Sequence, residues 1–264
     1  MSAMNEATII EQKTKVLDWL TPVNYGLQQS DFIKRRQEGT GNWLLDSDEF
    51  QYWLHHSKQT LFCQGIPGSG KTIRASIVID HLDTKFKNDA DIGIAYLYCN
   101  FRQQYQRSDL FASLLKQLAW RRSIIPESMQ RLFEHHRDRQ TRPSFDEIFS
   151  ELQSIVAGYQ RVFIIIDALD ECQVSDGGRT KFLTEILSFQ AKTEVNLFAT
   201  SRVDPEIAKL FEQSMSLEIR ARNEDVQRYL DGQMSQLPPF VKSSPDLQDE
   251  IKTTISKAVD SMYV

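Results

Sequence analysis

The chain has 264 residues, of which 41% are hydrophobic and 25% charged, and it carries a net charge of -5. That length holds one large α/β domain with added elements, the composition is ordinary for a soluble globular protein, and the charge gives no sign of general nucleic-acid affinity. No apolar run approaches the ~18 residues of a membrane span, and the polar N-terminus lacks the core of a signal peptide. Cys63, Cys99 and Cys172 are widely separated without C-x-x-C spacing, which suits reduced thiols in a cytoplasmic protein better than a disulfide or zinc framework.

Residues 1–58 read as a polar helical segment anchored by Trp19, Trp43 and Trp53, with a turn at Gly39-Thr40-Gly41. Ser47 is placed to cap a helix that carries Phe50, Trp53 and Leu54 on one face. Thr60–Gln64 reads as a buried strand. It runs into Gly65-Ile66-Pro67-Gly68-Ser69-Gly70-Lys71-Thr72, and a breaker-free stretch follows from Ile73 to Phe86. Strand, glycine-rich turn and helix form the context that makes G-x-x-x-x-G-K-[ST] a phosphate-binding loop. Glycines let backbone N–H groups turn inward on phosphates, and the helix N-terminus adds partial positive charge. Lys71 would neutralise the β/γ oxygens of a nucleoside triphosphate and the Thr72 hydroxyl would ligate Mg²⁺. Gly65, Pro67, Gly68, Ser69, Gly70, Lys71 and Thr72 are therefore the candidate nucleotide-binding residues.

From Thr60 onward strand-like and helix-like patterns alternate, the signature of a parallel sheet covered by helices. Five strands are predicted: Thr60–Gln64, Ile92–Cys99, Arg161–Asp167, Glu194–Thr200 and Met215–Ile219. All read as short apolar runs suited to burial on both faces. Between them, Leu110, Phe111, Leu114, Leu115 and Leu118 form a helical stripe after the candidate cap Ser108. Ser144-Phe145-Asp146-Glu147 is a capping box leading into Ile148, Phe149, Leu152, Ile155 and Val156. The arginines between Arg121 and Arg142 read as a solvated helical face, and the adjacent pairs His55-His56 and His135-His136 have poor spacing for a metal.

The apolar strand ending in Asp167 lies about 95 residues beyond the phosphate loop. A carboxylate at the C-terminal end of a central parallel strand sits beside such a loop and can hold Mg²⁺, directly or through water. Asp170 and Glu171, which follow, are candidates to orient or deprotonate an attacking water. The run Val195 to Arg202 ends in two hydroxyls and an arginine, and Arg202 could sense or stabilise a γ-phosphate. Beyond the last strand, Asn223 to about Met234 reads as a helix, and Pro238-Pro239 break the pattern. A final stripe through Leu247, Ile251, Ile255, Ala258 and Val259 stops in mid-pattern, as in a piece of a longer protein. The expected division is an N-terminal helical segment (1–58), a nucleotide-binding domain (59–220) and the start of a helical domain (221–264).

These segments, with Arg35-Arg36-Gln37-Glu38-Gly39-Thr40-Gly41-Asn42-Trp43-Leu44-Leu45, resemble the NACHT NTPase domains of the STAND class. The likeness is particularly to the NLR-like fungal NACHT proteins linked to heterokaryon incompatibility. That family's second motif places a small residue after the Mg²⁺ aspartate and acids at the third and fourth positions beyond it, as in Asp167-Ala168-Leu169-Asp170-Glu171. Ordinary AAA+ ATPases have a catalytic Glu where this chain has Ala168. The resemblance runs from about Val16 to Met262, with Asp225-Val226-Gln227-Arg228-Tyr229-Leu230 and Ser256 to Tyr263 matching the start of the following helical domain. Two positions depart from the pattern: Arg74 stands where an aliphatic residue is usual, and Ser261 where Gly is usual.

The resemblance implies a three-layer P-loop fold with a five-stranded parallel sheet in the order 5-1-4-3-2. It implies a switch that binds ATP or ADP with Mg²⁺ and hydrolyses slowly, with ADP holding a closed monomer and ATP an open, self-associating form. Its effector and sensor domains would lie outside these residues. Arg35 and Thr40 would reach the adenine or ribose, with a structural turn packed under Trp43 as the alternative. The competing functions are an AAA+-like turnover ATPase and a nucleotide-binding scaffold without hydrolysis.

Overall fold

Apolar runs of four to seven residues pair side by side into one parallel sheet. The computed structural model describes residues 3–175, 178–234 and 237–261. Its strands are β1 (Thr60–Gln64), β2 (Ile92–Tyr98), β3 (Gln104–Tyr105), β4 (Arg161–Asp167), β5 (Gln173–Val174), β6 (Val195–Ser201) and β7 (Met215–Glu218). Its helices up to the end of β4 are α1 (Ala3–Leu20), α2 (Tyr25–Arg35), α3 (Asn42–Leu45), α4 (Asp48–His55), α5 (Lys71–Lys85), α6 (Arg107–Arg121), α7 (Glu127–Arg139) and α8 (Phe145–Ala157). A 3-10 turn spans Leu169–Glu171, and then come α9 (Gly178–Lys192), α10 (Pro205–Leu210), α11 (Asn223–Met234), α12 (Pro239–Lys242) and α13 (Pro245–Ser261).

The main sheet runs β2-β4-β6-β1-β7 with every pairing parallel. Counted without the two short strands, these are the second, third, fourth, first and fifth, which is 5-1-4-3-2 read from the opposite edge. The five expected strands are present within a residue or so at their ends. The expectation missed β3 and β5, two-residue strands that pair in a separate small sheet. It also misjudged β7, which alternates between half-buried and exposed residues because it is an edge strand. Strands β4 and β6 are buried almost throughout, so helices cover both faces of the sheet, as parallel sheets require.

The N-terminal helices share the core of the sheet. Leu17, Leu44, Phe50 and Trp53 are buried in the same cluster as Leu61, Phe163 and Phe198. Trp53 packs 5.1 Å from Phe163 between ring centroids and donates its indole N–H to Leu197 O at 3.0 Å. Asn196, also fully buried, donates to the backbone carbonyls of Trp53 and His56 and accepts from Gln59 N. These bonds satisfy polar groups that burial would otherwise leave costly.

Ser47 caps α4, and Ser144 with Glu147 forms the capping box of α8, as expected. The cap of α6 is instead Gln106, because the helix begins at Arg107 and takes Ser108 into its first turn. Helix α5 begins at Lys71, two residues before the expected start, because the phosphate loop itself turns into it. The three cysteines are free and buried. The fold nonetheless brings Cys99 and Cys172 near each other, and the neighbouring thiol together with burial holds the Cys99 thiol well above its usual pKa. No helix among the described residues is long and apolar enough to cross a membrane. Met262, where the family resemblance was expected to end, and the neighbouring Tyr263 lie outside the described residues.

Candidate nucleotide-binding site

The site lies along the carboxyl edge of β1, β4 and β6, where register aligns Gln64 with Ser201 and Ile166 with Ala199. Gly68 and Gly70 take φ of +80° and +85°, a left-handed conformation that glycine adopts without a side-chain clash. At Gly65 a Cβ would fall 2.5 Å from Ile219 O and 2.6 Å from Ser69 Oγ, so the loop leaves β1 pressed against the end of β7. Lys71 Nζ donates to Gly65 O at 2.7 Å and Ile66 O at 2.8 Å, drawing the loop around the ammonium. Burial lowers the Lys71 pKa, while the nearby carboxylates of Asp170 and Asp167 oppose the shift. The first turn of α5 starts at this loop and leaves its unpaired N–H groups at the same place.

Asp167 ends β4 and is only 2% exposed. Its Oδ2 accepts from Thr72 Oγ1 at 2.7 Å and its Oδ1 from Thr200 Oγ1 at 2.6 Å. Desolvation raises its pKa, and the Thr200 and Thr72 hydroxyls and the Lys71 charge pull it back. Thr200 also accepts from Ala168 N at 3.0 Å, which fixes the chain where it leaves the strand. Ala168 itself is left-handed, with φ 60° and ψ 55°. Thr200 was absent from the expected site, although its position among the hydroxyls ending β6 was the available signal.

The donor set fits a magnesium–nucleotide complex. A hydroxyl and a carboxylate in contact are hard oxygen ligands of the kind Mg²⁺ takes alongside phosphate. Ser69 Oγ, in the wall of the loop, is buried without a hydrogen-bond partner among the described residues, leaving a donor for a phosphate oxygen. Thr72 and Asp167 are the residues that would hold the metal, and Lys71 with the loop N–H groups would hold the phosphates.

Asp170 and Glu171 are both clasped by Arg202. The Arg202 backbone N–H donates to Asp170 Oδ1 at 2.9 Å, its Nε lies 3.3 Å from Asp170 Oδ2, and its terminal nitrogen reaches Glu171 Oε1 at 2.6 Å. Ser201 Oγ adds a bond to Asp170 Oδ1 at 3.3 Å. The two acids and the arginine, expected in separate roles, are thus brought together, with one guanidinium shared between two carboxylates. Arg35 and Thr40 are not brought together. Arg35, exposed at the end of α2, lines a cavity of about 580 Å³ with Thr72, Asp167 and Glu171, on the metal side of the loop. Thr40 is buried, and its hydroxyl donates to Gln37 O at 2.7 Å, closing the turn before α3.

Among known proteins, the vegetative incompatibility protein HET-E-1 of Podospora anserina is 24% identical over 242 residues, covering 84% of this chain and 17% of that protein. This chain therefore spans less than a fifth of the length of its curated relative. The match agrees with the resemblance to fungal NACHT proteins linked to incompatibility. Among solved structures, the Walker-type ATPase paby2304 of Pyrococcus abyssi is similar at a TM-score of 0.53 and 12% identity, covering 83% of this chain and 64% of that one. That likeness bears on the fold alone. Residues 39–202, more than half of the chain and spanning the phosphate loop, Asp167 and Arg202, match the family described as Nephrocystin 3, N-terminal, and the chain belongs to that family.

Proposed function

We propose that this chain is the nucleotide-operated core of a NACHT-type, NLR-like signalling switch. It binds ATP or ADP with Mg²⁺, hydrolyses ATP slowly, and opens to self-associate in the ATP form. The observation that carries the reading is the pairing of Arg202 with Asp170 and Glu171, together with Ala168 directly after Asp167. No acid adjoins Asp167, and the two acids further on share one arginine as their ion-pair partner.

In this reading Lys71 and the loop N–H groups bind the phosphates, and Thr72 with Asp167 holds the metal. When bound, Mg²⁺ would supply positive charge that offsets the negative charge of the phosphates. Asp170 would orient water or take its proton as Arg202 turns from the acids toward the γ-phosphate. Slow turnover follows from having to break these pairs first. A γ-phosphate that draws Arg202 away distinguishes ATP from ADP. Such a difference is the requirement for a ligand to shift a conformational balance. Effector and sensor domains are proposed to lie outside these residues, and free buried cysteines support a reducing, cytoplasmic setting.

The test is to identify the nucleotide retained by the purified chain, its turnover, and its size in ADP and in a non-hydrolysable ATP analogue. Expected are bound adenine nucleotide, turnover well below a median enzyme's ~10 s⁻¹, and a larger species with the analogue. Rapid turnover stimulated by a protein or nucleic-acid substrate favours the AAA+-like motor. Retained nucleotide without turnover favours the scaffold.

A further inference from the structure

Arg74 stands one turn beyond Lys71 on α5, among buried neighbours that include Ala75, Ile77 and Val78. Its side chain is only 8% exposed, and it forms an ion pair at 2.8 Å with Asp225 of α11, whose side chain is 11% exposed. Burying two charges is expensive unless both are well bonded. Here the Asp225 carboxylate also accepts the Gly41 backbone N–H, at 3.1 and 3.0 Å to its two oxygens. One turn along α11, Arg228 donates to Gly39 O at 2.7 Å. Helix α11 is thereby bolted to the turn at Gly39–Gly41 by two independent groups.

The other side of the same guanidinium meets the phosphate loop. A Cβ on Gly70 would fall 2.7 Å from a terminal nitrogen of Arg74, so the last glycine of the loop rests directly on the arginine. The turn is equally close-fitted: Gly41 has φ +77°, and a Cβ there would fall 2.6 Å from Ile77 Cδ1. A single side chain therefore touches the loop, the helix that carries Lys71 and Thr72, and, through Asp225, helix α11. We propose that the Arg74–Asp225 pair is the coupler that ties the seating of α11 to the state of the phosphate loop, with Arg74 as a positioning residue. This rests on the nucleotide-binding reading given above. A ligand that orders Gly65–Gly70 braces Arg74 from the loop side, and the brace passes to Asp225 and α11. Linkage makes the effect reciprocal, so a seated α11 tightens nucleotide by the same factor, commonly about 5–150-fold between coupled sites.

The experiment is hydrogen–deuterium exchange over residues 223–234 in the 264-residue chain, with and without ADP and Mg²⁺, paired with the dissociation constant of a fluorescent ADP. In the unaltered chain ADP is expected to slow exchange in α11. In Asp225→Asn, which keeps an acceptor for Gly41 N–H but loses the charge, the response of α11 should vanish. The dissociation constant should rise at least about fivefold, the lower end of that coupling range. Arg74→Lys keeps the charge on a side chain without the planar fork, and should weaken both effects if Asp225→Asn proves too unstable to study. An α11 that responds to ADP equally in all three proteins overturns the coupling, as does an unaltered chain that binds ADP with no change, or faster exchange, in α11. An unaltered chain that does not bind ADP overturns the nucleotide site itself and the coupling with it.

Discussion

Replacing Thr200 with valine keeps the shape of the side chain and removes one oxygen. That oxygen is fully buried, donates to Asp167 Oδ1 at 2.6 Å and accepts from Ala168 N at 3.0 Å. A hydrogen bond to a charged group is worth about 1.5–3 kcal/mol, and orphaning a buried N–H costs about 1–3. Ala168 is only half-buried, so water recovers part of its N–H and the low end applies there. Asp167 retains Thr72 and can take up a proton more readily than an exposed carboxyl, because burial raises its pKa. The expected net loss is about 3 kcal/mol, inside the 5–15 kcal/mol of a typical domain. In urea, with a slope near ~3 kcal/mol/M, the midpoint should fall by about 1 M. Thr200→Ser retains the hydroxyl and gives up a methyl, which costs about 1 kcal/mol. If valine costs under ~1 kcal/mol, or serine costs as much as valine, Thr200 is not the support of Asp167 argued for here.

Four further outcomes are expected. Lys71→Ala should weaken ADP at least about 100-fold, close to ~3 kcal/mol, and unchanged affinity by titration calorimetry refutes the site. Asp170→Asn should slow hydrolysis while leaving ATP binding nearly intact; equal loss of both in paired kinetic and binding assays would instead make Asp170 a structural residue. Gly41→Ala should cost about 2–4 kcal/mol, from the left-handed backbone and the overlap with Ile77, and a thermal midpoint within a degree of the parent contradicts the close seating of that turn. Ser144→Ala should cost about 1 kcal/mol at neutral pH. The Glu147 pKa is lowered by the Ser144 N–H and then by its hydroxyl. That part of the stabilisation is complete above the ordinary glutamate pKa and is lost as pH falls through the lowered value. The gap between parent and Ser144→Ala should therefore narrow in acid, and a gap that widens there reverses the sign argued for.

The most legible parts of the chain were those where one local pattern carries one physical demand. The β4 run Arg161-Val162-Phe163-Ile164-Ile165-Ile166-Asp167 admits little besides a strand buried on both faces, and the phosphate loop announces itself by composition and flanks. The order of the main strands came by resemblance, since no short pattern encodes which strands become neighbours. Strands β3 and β5 escaped notice because two-residue pairings at Gln104 and Gln173 have no periodicity to read. Cys99 and Cys172 looked remote because sequence distance says nothing of loops that leave adjacent strands together. Arg74 stood out only as a departure from the aliphatic residue usual at that place in the family. Its meaning depends on Asp225, 151 residues away, on a helix that packs there only after the fold has formed. The pairing of Arg202 with both acids was hidden for the same reason: residue types were visible, but their contact was not.

The left-handed twist at Ala168 bears on any attempt to re-engineer this domain. A non-glycine residue in that conformation costs about 1–2 kcal/mol, and Thr200 holds it there through the Ala168 N–H. The twist also turns the main chain into the 3-10 turn that carries Asp170 and Glu171 back to Arg202. A glutamate grafted at position 168 to imitate a fast ATPase inherits the same twist, so its carboxylate departs along a different line from one on extended backbone. A side chain exchanged at position 168 therefore keeps the direction that the backbone from Asp167 to Cys172 gives it.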